Sequence, residues 1–147
     1  MIIVIDQWVK LWLLATAEPG VAKPLIGDLV RLNLTFNDSA AFSLGFGLTW
    51  LFTLISSLAA AALIWYSRKI ESVSWAIMAG VLLGGVCGNL IDRLTKEPGF
   101  PNGHVIDYLQ IPFNFPIFNI ADMAIVTICS LTVLRIMRGH QIGKITS

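Results

Sequence analysis

The chain has 147 residues, of which 56% are apolar and 13% charged, with a net charge of +1. A soluble domain carries about 25% charged residues, so charge is scarce here, and the high hydrophobicity excludes intrinsic disorder. A net charge near zero without a basic block argues against a nucleic-acid partner, and Cys87 and Cys129 lie in apolar runs without partners at ligand spacing, which disfavours a disulfide scaffold or a zinc site.

Position matters more than number. Between Asp38 and Arg68 run 29 consecutive uncharged residues, and between Glu71 and Asp92 run 20. A bilayer-spanning helix needs about 20 mostly apolar residues, so both runs qualify. The chain reads as an α-helical integral membrane protein: one domain over 1–147, four transmembrane helices (about 1–17, 44–66, 73–91 and 117–137) and two substantial loops.

The first segment carries Asp6 and Lys10 at i and i+4, a spacing that makes a helix-face ion pair. Ala15-Thr16-Ala17 resembles a signal-peptide cleavage site, but no Lys or Arg precedes the apolar stretch, so a retained span is expected. Asp6 falls five residues from Met1, and the natural chain is expected to begin further upstream. In the loop that follows, Leu32, Leu34 and Phe36 alternate with polar residues, the period of a half-buried strand. Pro24 to Asp28 reads as its strand or turn partner, and a small β-sheet resting on the outer membrane face is expected there.

The hinge Ser67–Ser72 makes the second and third spans a tight hairpin. In the third span Gly80, Gly84 and Gly88 recur every fourth residue, a smooth strip that permits close helix contact. Arg68, Lys69, Arg135, Arg138 and Lys144 lie in the hinge and at the end of the chain, whereas the two long loops hold only Lys23, Arg31, Arg93 and Lys96. Lys and Arg mark the cytoplasmic side, so both termini and the hinge are placed inside and both long loops outside.

Ionisable groups at membrane depth mark function by default. Asn89, Asp92 and Arg93 share one face at the outer end of the third span, and Asn119 and Asp122 repeat the i, i+3 spacing at the outer end of the fourth. Asp107 is read as a loop residue between them. Asn89 and Asn119 read as hydrogen-bond braces, and Asp92 with Arg93 as a cap that ties down the following loop. Asp107 and Asp122 have no cation beside them in sequence. Two carboxylates brought together share a proton; one can then take a proton from water while the other polarises a carbonyl. A small proton-coupled transporter or an inactive scaffold could use the same carboxylates. Both cysteines read as buried packing, and no metal or cofactor is expected.

The stretches Asp6-Gln7-Trp8-Val9-Lys10, Asn37-Asp38-Ser39-Ala40-Ala41-Phe42, Gly88-Asn89-Leu90-Ile91-Asp92-Arg93, Val105-Ile106-Asp107 and Phe118-Asn119-Ile120-Ala121-Asp122 together resemble, in order and over nearly the whole chain, the lipoprotein signal peptidase (signal peptidase II) family. The resemblance implies a bacterial inner-membrane aspartyl protease, acting as a monomer on the outer side. Its partners would be membrane lipids and a prolipoprotein, cut just before a cysteine that already carries diacylglycerol. By motif, Asp107 and Asp122 are the catalytic pair, Asn37, Asn89, Asp92, Arg93 and Asn119 hold the pair and the substrate, and Asp6 with Lys10 is structural. Asp92 is the other candidate for the first catalytic carboxylate, although its neighbour Arg93 suits it to support. Three departures from the family pattern stand out: Ser39 where a glycine is usual, a longer stretch between Arg93 and Asp107, and few residues before Asp6.

Overall fold

The structure is a computed structural model that describes residues 1–38 and 48–145. Ser39 to Phe42 of the Asn37 motif, and residues 44–47 of the second apolar segment, lie outside the described residues. The elements follow in the order α1 (Ile2–Thr16), β1 (Lys23–Ile26), β2 (Val30–Asn37), α2 (Thr49–Ser67), α3 (Val73–Thr95), β3 (Val105–Gln110) and α4 (Ile120–Met137). Helices α2, α3 and α4 are long and apolar enough to cross a membrane. At 15 residues, α1 is about 22 Å long, short of the ~30 Å hydrocarbon core of a bilayer.

Helix α3 packs against the other three helices, and glycines make the approach possible. A Cβ on Gly84 would lie 2.9 Å from that of Ile2, one on Gly85 2.7 Å from the carbonyl of Ala121, and one on Gly88 2.7 Å from Asp6 Oδ2. Any larger residue there would push α1 or α4 away. Gly80 faces open space, so the close-contact strip is Gly84, Gly85 and Gly88. Outside these contacts the helices expose Val4, Trp8, Leu58, Ile77 and Val126, as expected of surfaces that meet lipid. Cys129 is exposed on α4 and Cys87 is half-buried, which corrects the buried reading of both. An apolar environment outside the bundle accepts a thiol as readily as the core does.

At the hinge end the chain folds back on itself. The Gly143 carbonyl accepts from the amides of Glu71 (2.8 Å) and Ser72 (3.2 Å), and Lys144 pairs with Glu71 at 2.5 Å. The cations used to orient the chain therefore gather at one end, with Arg135 stacked on Trp75 (4.4 Å) and Lys69 on Trp65 (3.8 Å).

At the other end sits an antiparallel sheet in the order β1-β2-β3. The first two strands match the expected pair, although Phe36 is 46% exposed where the alternation would bury it. The third strand contains Asp107, which corrects its placement in a loop. Val105, Ile106, Asp107 and Tyr108 are all buried, because Leu13 of α1 packs on Ile106 and Tyr108 and Asn119 at the start of α4 covers Asp107 on the other face. With both faces covered, the period-2 signal disappears. Leu13 of α1, Leu34, Ile106 and Tyr108 form the core beneath this sheet. The edge of β3 also bridges Phe118 (Leu109 N to Phe118 O 2.8 Å; Phe118 N to Leu109 O 3.0 Å), which fixes the entry to α4 relative to Asp107.

Candidate active site

Three elements bring carboxylates to the sheet end of the bundle. Asp107 projects from β3, Asp92 from the last turns of α3, and Asp122 from the first turn of α4. Register explains the first placement. Thr35 pairs with Asp107 and Asn37 with Val105, so Asn37 is the diagonal neighbour of Asp107 on the same face. Asn37 Nδ2 donates to Asp107 Oδ2 at 2.8 Å, and Asn119 Nδ2 donates to Asp107 Oδ1 at 2.6 Å.

Asp122 is held by a capping box. The Asn119 amide donates to Asp122 Oδ2 (3.1 Å) while the Asp122 amide donates to Asn119 Oδ1 (2.9 Å), satisfying free N–H groups at the start of α4. Asn89 Nδ2 donates to Asp122 Oδ1 at 2.7 Å, and Asn119 Nδ2 also reaches Asn89 Oδ1 at 3.0 Å. Two amides therefore run between the two carboxylates, Asp107 to Asn119 to Asn89 to Asp122. Asn89 and Asn119, expected as hydrogen-bond braces, thus each donate to one of the two carboxylates.

Burial sets the acidity of Asp107. Its side chain is 2% exposed, and desolvation first, then the like charge of Asp122, pushes the carboxyl up to about 7, against the downward pull of the Asn37 and Asn119 hydrogen bonds. Near neutral pH it is divided between its protonated and ionised forms.

Asp92 has a different environment. Its Oδ2 meets Lys10 Nζ at 2.7 Å and accepts the Ile106 amide at 3.1 Å, and its Oδ1 accepts from Gln7 Nε2 at 3.0 Å. Both oxygens are occupied by the protein. Sequence adjacency pointed to Arg93 as its cation; the structure brings Lys10 to it from another helix. The bond to Ile106 ties β3 to the end of α3. Arg93 lies over the Phe52 ring at 5.4 Å and faces Asp107, Asp122, Asp92 and Asp38.

The Asp6–Lys10 pair is present at 2.8 Å, with both side chains fully buried. Asp6 Oδ1 also accepts the Ala121 amide at 3.1 Å, which joins α1 to α4 directly below Asp122. Sequence reasoning missed Gln7, whose Nε2 bonds the Gly88 carbonyl (3.0 Å) as well as Asp92. The signal was an uncharged polar residue between Asp6 and Lys10 in an otherwise apolar run. It also missed Thr49 and Thr53 on α2. The Thr49 hydroxyl donates to the Asp38 carbonyl and that of Thr53 to the Pro101 carbonyl at 2.7 Å, so α2 is fastened to the residue after β2 and to the segment that leads into β3.

The sequence profile of the signal peptidase (SPase) II family matches residues 1–138. The chain belongs to the signal peptidase II family. It is 46% identical over 134 residues to the lipoprotein signal peptidase of Leifsonia xyli subsp. xyli (strain CTCB07), covering 91% of this chain and 62% of that protein. The lipoprotein signal peptidase of Mycobacterium avium (strain 104) is 35% identical over 144 residues, covering 98% and 79% respectively. That of Rhodococcus jostii (strain RHA1) is 38% identical over 139 residues, covering 95% and 70%. The chain thus spans between about three fifths and four fifths of these relatives' lengths. Two solved structures of bacterial membrane enzymes share the fold. One, obtained by the in meso method at 2.3 Å, gives a TM-score of 0.79 at 22% identity over 99% of this chain and 90% of its own. The other, at 1.9 Å, gives 0.81 at 23% identity over 95% and 89%. Signal peptidase II membership and the apolar helices make the chain a multi-pass membrane protein.

Proposed function

We propose that the chain is an aspartic endopeptidase that removes the signal peptide from diacylglyceryl-modified prolipoproteins, with Asp107 and Asp122 as its catalytic pair. The observation that carries this reading is the pair of carboxylates joined through Asn119 and Asn89, one of them with its acidity moved to about 7. At neutral pH such a pair holds one proton between two carboxyl groups. The ionised member takes a proton from water as the oxygen attacks the scissile carbonyl, and the protonated member donates to that carbonyl oxygen. Asn37, Asn89 and Asn119 hold the carboxylates in place, and Arg93 adds positive charge where the oxyanion develops. Asp92, with both oxygens occupied, supports β3.

All four helices span the bacterial inner membrane in this reading. The hinge lies in the cytoplasm and the carboxylate pair at the outer boundary. That depth suits a substrate whose lipid chains stay in the bilayer while the backbone near the modified cysteine extends beside β2 and β3. The chain folds as one domain and acts as a monomer in this reading. Incubating the purified protein with lipidated prolipoprotein tests the proposal: a product shortened by the signal peptide, formed from lipidated but not unlipidated substrate, is expected. No cleavage of either would overturn it.

A further inference from the structure

We infer that Lys10 is a positioning residue for the carboxylate pair, because its buried ammonium fixes the Asn89 amide that donates to Asp122 and adds its charge to the set facing the pair. The inference rests on the function proposed above and assigns to Lys10 more than a helix-joining role.

An ammonium has three hydrogens and no acceptor. Those of Lys10 meet three oxygens: Asp6 Oδ2 at 2.8 Å, Asp92 Oδ2 at 2.7 Å and Asn89 Oδ1 at 3.1 Å. Because Lys10 can only donate, it must face the oxygen of the Asn89 amide. Asn119 Nδ2, also a donor, reaches the same oxygen at 3.0 Å. The nitrogen of Asn89 is thereby turned toward Asp122 Oδ1, 2.7 Å away. A flipped amide would set one donor against two others and two oxygens against each other. Lys10 thus acts on Asp122 through one intervening side chain.

The charges around the pair come from every packed element. Helix α1 supplies Asp6 and Lys10, the residue after β2 is Asp38, α3 supplies Asp92 and Arg93, β3 supplies Asp107 with the Tyr108 phenol, and α4 supplies Asp122. Lys10 and Arg93 are the two cations of this set. A buried ion costs several kcal/mol unless its partners are well placed, and a link between α1 and α3 alone would require no third contact to an amide of the site.

The test is the pH dependence of kcat/KM for cleavage of lipidated prolipoprotein by the full chain in detergent micelles. Asp6→Asn keeps the side chain's shape, removes one negative charge and leaves Lys10 balanced by Asp92. It should move both limbs of the profile to lower pH. Lys10→Gln removes the positive charge and should move both limbs to higher pH. A displacement of about one pH unit corresponds to roughly a tenfold rate change on the acid limb. Lys10→Gln strands two buried carboxylates, so its folding is checked by thermal unfolding; where it fails to fold, Asp6→Asn decides alone. Limbs that stay in place in Asp6→Asn, whatever the loss of amplitude, overturn the inference and leave a structural ion pair. A wild-type chain that cleaves nothing instead overturns the functional reading and the inference with it.

Discussion

Lys10 and Asp92 meet at 2.7 Å with neither side chain exposed to solvent, joining the first helix to the third at the depth of the carboxylate pair. Removing one member of a buried ion pair leaves the other uncompensated, which costs about 3–5 kcal/mol. Lys10→Met, which strands both Asp6 and Asp92, should therefore lower stability by about that amount, read as a reduced midpoint of thermal unfolding in detergent. An unchanged midpoint would show that the buried cluster contributes little to the fold.

The glycines of α3 provide a controlled pair. Gly88→Ala places a methyl 2.7 Å from Asp6 Oδ2 and 3.1 Å from Ala121 Cβ, whereas Gly80→Ala meets nothing within 4 Å. The first should destabilise by about 1–3 kcal/mol through overpacking. The second should be neutral or stabilising by up to about 1 kcal/mol, since alanine favours the helix. The same unfolding measurement compares them, and equal effects would refute the packing of α1 and α4 against this face.

These contrasts mark what the sequence made legible. The uncharged runs identified α2 and α3, and i, i+3 spacing placed Asn89 with Asp92 and Asn119 with Asp122, because helical periodicity is local. The β1–β2 pair announced itself through alternation at Leu32 and Leu34. Strand β3 did not, since burial of both faces erased the pattern around Asp107. The partnership of Lys10 with Asp92 was equally hidden, because it spans two helices distant in sequence, while Arg93 was the conspicuous neighbour. Gly80 looked equivalent to Gly84 and Gly88 until the helix faces were known.

Asp107 carries a pH signature of its own. Its carboxyl is raised from an ordinary 3.8 to about 7, so between those values the folded chain holds a proton that the unfolded chain releases. Its contribution to stability is fully present below about pH 4 and is lost as pH rises through about 7. Relative to wild type, Asp107→Asn should therefore gain stability as pH is raised across this window. Unfolding midpoints at a series of pH values measure the difference, and one that stays constant with pH would contradict the buried environment of this group.

The fastening of α2 offers a subtler test. Thr53 is buried on α2 and its hydroxyl lies 2.7 Å from the Pro101 carbonyl, in the long stretch between Arg93 and Asp107. Thr53→Val keeps the shape and deletes the bond, which should cost about 0.5–1.5 kcal/mol. Cleavage should slow as well, because the segment leading to β3 is loosened. Unaltered kinetics together with unaltered stability would show that this contact does not help place Asp107.

The central claim is that Asp107 and Asp122 perform the hydrolysis. Its most direct measurement is cleavage of lipidated prolipoprotein by Asp107→Asn and Asp122→Asn, each checked for a wild-type-like unfolding transition. Both should fold and neither should release a signal peptide, since an amide cannot exchange the proton that each step requires. Full processing by either folded variant would remove that residue from the catalytic pair.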